Sequence, residues 1–81
     1  MNRDTDLLRK FGRRIRSLRL EKGITSQMDF AYKAGLDRTY IGGIERGERN
    51  VGLLNLVRLC TALDANPADV VSDLRLGQKR R

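Results

Sequence analysis

An all-α fold, five short helices in one compact bundle, is what this sequence predicts, and three observations carry the expectation. Apolar residues return at intervals of three and four along most of the chain, the repeat of helices with one buried face. Capping and stopping residues bracket those runs: Ser26, Asp37 and Asn66 stand in front of them, Gly23 and Gly35 behind. The chain has 81 residues, the length of a single domain.

Met1 to Asp4 is expected to be a frayed arm. A first helix follows from about Asp6 to Lys22, because Leu8, Phe11, Ile15 and Leu18 form an apolar stripe and Gly23 ends it. Its other face is crowded with Arg9, Lys10, Arg13, Arg14 and Arg16. A solvated helix face is the plain reading of such a run; the functional one is that Arg16, Arg19 and Lys22, nearest the next helix, attract phosphate.

The second helix opens at Gln27. Ser26 can accept from the N–H groups of its first turn, and Asp29 completes an approximate capping box. Phe30, Ala31 and Ala34 make its apolar face, Gly35 stops it, and Leu36 is expected as a buried plug at the turn. Asp37 then caps a third helix, Arg38 to Arg46, with Ile41 and Ile44 turned inward. Arg38, Thr39, Gly42 and Gly43 are left at its start or on its outer face, where packing explains little. Gly47 to Gly52 is a loop by composition. In a fourth helix, Leu53 to Leu63, the residues Leu53, Leu56, Leu59, Cys60 and Leu63 share one side and are expected in the core. Asn66-Pro67-Ala68-Asp69 starts a fifth helix carrying Val70, Val71 and Leu74. Those three either close the core or face a second subunit, and a chain this small gains from a partner. The domain is therefore 1–81, with a core of about 6–75 and a basic tail at 76–81.

Two short helices joined by a tight turn form a helix-turn-helix, in which the start of the second helix enters the major groove and the first lies across the backbone. Gln27, Ala31, Gly35-Leu36, Ile41 and Ile44-Glu45-Arg46-Gly47 resemble the phage-repressor (Xre-like) helix-turn-helix family, whose fold is the lambda-repressor-like bundle. The stretch from Leu36 to Asn50, LDRTYIGGIERGERN, most resembles the controller proteins of restriction-modification systems. The resemblance implies that Gln27 braces the recognition helix, that Glu45 is architectural, and that Val70, Val71 and Leu74 belong to a dimer interface. Where that family commonly has Ser, this chain has Gly42, so a target preference cannot be carried over.

Arg38 is the strongest candidate to read a base, since a guanidinium at this point has paired donors for O6 and N7 of guanine. Thr39 can hydrogen-bond a base or press its methyl on thymine, and bare backbone at Gly42 and Gly43 can approach base edges. Phosphate contacts are expected from Gln27, Tyr40, Arg46, Arg49, Asn50 and Arg19. Four of these have a plainer alternative: ordinary helix surface for Gln27 and Thr39, solvation or a phosphate for Arg38, a half-buried core edge for Tyr40. Glu45 gains nothing near phosphate and is expected to pair with a neighbouring Arg.

The expected function is a sequence-specific, DNA-binding transcriptional regulator, a homodimer on a palindromic or repeated operator. RNA polymerase is a further partner if it activates. An antitoxin-like protein of the same fold, with another protein as its main partner, is the alternative. Seventeen Lys and Arg against ten Asp and Glu, a net charge of +7, suit a polyanion. With no His and one Cys, no metal, cofactor, disulfide or catalytic constellation is expected. No apolar run approaches the roughly 18 residues of a membrane span and no leader is evident, so a soluble cytoplasmic protein is expected.

Overall fold

The computed structural model describes residues 3–76, in which five helices follow one another: α1 Arg3–Glu21, α2 Gln27–Ala34, α3 Arg38–Glu45, α4 Leu53–Leu63 and α5 Pro67–Val71. Most of the tail, 77–81, lies outside the described residues, as do Met1 and Asn2. The expected frayed arm is helical from Arg3, because Asp4 and Asp6 place negative charge in the first turn of α1, where the helix dipole favours it. In α2 the Ser26 hydroxyl accepts from the N–H groups of Met28 and Asp29. Gly35, at φ 69°, takes the left-handed turn that ends the helix, and Leu36 N–H reaches back to Ala31 C=O. Leu36 is half-buried rather than a full plug. Asp37 caps α3 and Asn66 caps α5, each with its side-chain oxygen. Gly52 leaves α4 without a side-chain cap.

The core gathers Phe11 and Ile15 of α1, Phe30 of α2, Ile41 and Ile44 of α3, and Leu59, Cys60 and Leu63 of α4. Burial pushes the Cys60 thiol above its usual range, so it stays neutral and serves as a small hydrophobe. Helix α3 packs between α1 and α2; α4 covers α2, and α5 bridges α1 and α4. The crossing of α1 and α3 is backbone to backbone. A Cβ at Gly12 would lie 2.3 Å from the Ile44 carbonyl oxygen. That approach sets the height at which α3 is presented to anything outside.

Two apolar expectations are corrected. Val70 is fully buried and belongs to the core, not to a subunit interface. Leu53, expected in the core, is 75% exposed. Its helical period is unbroken, but no helix packs against that part of the first turn of α4. Helix α5 is only five residues long, so Leu74 follows it in the chain end. There it is half-buried with Val71, in an apolar cleft shared with Leu7, Leu8, Phe11 and Leu56.

Candidate nucleic-acid interface

The exposed end of α3 begins at its cap. The Asp37 carboxylate accepts the Thr39 N–H at 2.7 Å. That bond first, and then the Thr39 hydroxyl, hold the Asp37 carboxyl below its ordinary value. A depressed folded-state value means the cap stabilises fully above the unfolded value of about 4 and loses its contribution as pH falls through the folded one. Acid titration followed by far-UV circular dichroism is expected to show loss of helix in that window for the wild type. Asp37→Asn, which caps without titrating, should lack that component; superimposable curves would contradict it.

Arg38 and Thr39 follow the cap and are exposed in the first turn of α3. Behind them the helix is fastened by a buried ion pair. Glu45 accepts from Arg19 Nε at 2.7 Å and Nη2 at 3.2 Å, and from Gln27 Nε2 at 3.0 Å; Arg19 Nη1 donates to Ile24 C=O at 2.9 Å. One carboxylate thus joins the end of α1, the start of α2 and the end of α3. No side-chain polar atom of the described residues is left buried without a partner. Glu45 pairs with an Arg, as its place suggested, and Gln27 does brace α3. Arg19, however, leaves the set of phosphate contacts: it is 3% exposed, and its donors are committed within the protein. Its signal was present, since Arg19 follows Ile15 by four residues and falls on the buried stripe.

Around α3 the basic side chains lie along the helix. Arg46 has its guanidinium over Gly42, and Arg49 its aliphatic stem over Gly43. Both glycines are therefore buried, and the bare backbone expected to meet bases is covered. The Arg49 guanidinium stands 5.6 Å from the centre of the Tyr40 ring, a cation–π arrangement. Tyr40 Oη accepts from Asn55 Nδ2, whose own Oδ1 accepts from Arg58. Sequence reasoning had no reason to select Asn55, which sits on another helix. Because the Tyr40 oxygen accepts this bond, its O–H is not used in it. Asn50 is exposed in the loop after Arg49.

Outside this surface, Leu53, Leu54 and Val57 expose an apolar patch on α4. No group of described residues is placed to hold a metal ion, and no described helix is long and apolar enough to cross a membrane.

A capped helix that offers an exposed Arg-Thr pair, held by a second helix laid against it and flanked by arginines, defines a helix-turn-helix domain. The family model for the helix-turn-helix domain matches residues 10–74. The chain is 42% identical over 67 residues to the control protein C.BamHI of Bacillus amyloliquefaciens, covering 83% of each. It is 41% identical over 69 residues to control protein C.MunI of Mycoplasma sp, covering 85% of this chain and 93% of that one. Among solved structures, the controller protein C.AhdI from Aeromonas hydrophila superimposes with a TM-score of 0.75 at 54% identity, over 78% of this chain and 94% of that one. The controller protein C.Esp1396I, solved as a tetramer in complex with its natural 35 base-pair operator, gives 0.74 at 43% identity, over 84% and 88%. The chain belongs to the helix-turn-helix family of restriction-modification controller proteins.

Proposed function

We propose that this protein is a sequence-specific regulator of transcription that binds operator DNA as a homodimer and controls a restriction-modification operon. The observation that carries the reading is the exposed Arg38-Thr39 pair on the capped first turn of α3, backed by the buried Arg19–Glu45–Gln27 network. A helix fastened to α1 and α2 through its last residue, and capped at its first turn, loses little freedom on entering a groove. Arg38 grips guanine with its paired donors, and Thr39 adds contact with the adjacent base. Gln27 at the start of α2, the Tyr40 hydroxyl, Arg49 and Asn50 hold phosphates on either side. The operator complex of C.Esp1396I is that of a relative with the same fold, and supports this assignment.

The second copy docks on the α4 patch. Leu53 and Leu54 are 75% and 71% exposed, and Val57 beside them is exposed too; side chains of this size gain from burial at an interface. Leu54→Asp is expected to yield monomers in sedimentation velocity where the wild type is dimeric. An unchanged dimer would place the interface elsewhere.

The decisive experiment is selection from random duplexes with sequencing of the bound pool. The wild type should enrich a motif with two related half-sites. Arg38→Ala should bind the selected site about 1–3 kcal/mol more weakly and discriminate less against neighbours. Enrichment untouched by Arg38→Ala rejects its role, and an unenriched pool rejects sequence recognition.

A further inference from the structure

We propose that Arg46 reads a base pair in each half-site, and that Gly42 is the residue that allows it to do so. The inference rests on the DNA-binding reading above and deepens it.

Arg38, Thr39, Gly42 and Arg46 fall on one face of the recognition helix, since positions three and four apart are neighbours on a helix surface. Helical side chains lean toward the N-terminus and cover the preceding turn. Arg46, at the C-cap of α3, therefore projects back over position 42. Gly42 itself offers no side chain there, and the Gln27 Oε1 lies on the same spot, 3.5 Å from where a Cβ would stand. A Cβ on Gly42 would lie 3.1 Å from Arg46 Nη1 and 3.9 Å from its Cζ. The guanidinium thus lies tight against the place of a Cβ at position 42, one turn nearer to Arg38 and Thr39 than its own Cα, and any side chain there would push it aside.

Its pairing favours reading over clamping. Arg46 Nε lies 3.1 Å from Glu48 Oε1, while the side chain is 60% exposed. The Glu48 carboxylate beside Nε offsets part of the attraction a phosphate would feel and leaves the Nη groups to donate. Paired donors are what a guanine edge requires. Arg49 differs: it stacks on the Tyr40 ring and has no acidic partner among the described residues, so its charge stays available to a phosphate.

The test compares three proteins in the same selection and sequencing: wild type, Arg46→Lys and Gly42→Ser. Lys keeps the charge but not the paired donors, and Ser sets a Cβ 3.1 Å from Arg46 Nη1, so that the guanidinium must shift. Arg46→Lys is expected to preserve the salt slope of binding while losing about tenfold discrimination at one base pair per half-site. Gly42→Ser should alter preference at that same base pair, with an unchanged fold by circular dichroism. Arg46→Lys weakening all sequences alike, with the motif intact, would overturn the proposal and return Arg46 to a phosphate. So would a motif unaltered by Gly42→Ser. A wild-type pool without a motif sinks the DNA-binding reading itself, a failure distinct from either.

Discussion

Replacing Glu45 with Ala is expected to destabilise the protein by about 3–5 kcal/mol, the usual cost of removing one partner from a buried ion pair. The side chains of Arg19 and Glu45 are 4% and 3% exposed, so water cannot take over for the missing carboxylate. Arg19 Nε and Nη2 and Gln27 Nε2 would all lose their acceptor, and only the bond from Arg19 Nη1 to Ile24 would remain. A loss of that size approaches the whole stability of a small domain. Urea unfolding should show the midpoint falling steeply or the native baseline vanishing. The double variant Arg19→Met with Glu45→Leu should recover most of the loss, since the charge that would be stranded has gone with its partner. A single-variant loss below about 1 kcal/mol would mean the pair does not fasten α1 to α3.

Gly12→Ala is the second large effect. A methyl in the middle of α1 would ordinarily help by about 1 kcal/mol through helix propensity. Here it would stand 2.3 Å from the Ile44 carbonyl oxygen and 2.7 Å from that of Glu45. Those atoms belong to backbone and cannot swing aside as a long side chain would. The two helices must part, loosening Phe11 and Ile15 and tilting α3. Overpacking of a tight core typically costs about 1–3 kcal/mol, and contact with rigid backbone belongs at the upper end. The expected net result is a loss of about 2 kcal/mol in thermal or urea unfolding, with weaker operator binding in the variant that remains folded. A variant more stable than the wild type would show that the α1–α3 crossing yields easily.

The element boundaries were legible because their causes are local. Ser26, Asp37 and Asn66 bond to N–H groups two or three residues away, and Gly35 turns the chain by its own dihedral, so α2 and α3 begin where the letters place them. The exposed Arg38-Thr39 pair was legible for the same reason, being the first residues after a cap. What periodicity could not supply is which part of a stripe another helix covers. Leu53 continues the α4 stripe but stays 75% exposed, while Val70 is fully buried on a helix that packs against both α4 and the distant α1.

The charged residues divide in the same way. The sequence by itself determined five helices, a helix-turn-helix and a basic surface, because caps, stops and spacing act within a few residues. Only the tertiary structure decided that Arg19 is spent on Glu45 and that Arg46 and Arg49 lie over Gly42 and Gly43. An arginine's reach extends several residues beyond its own helix face, and its partner is chosen by how the helices pack.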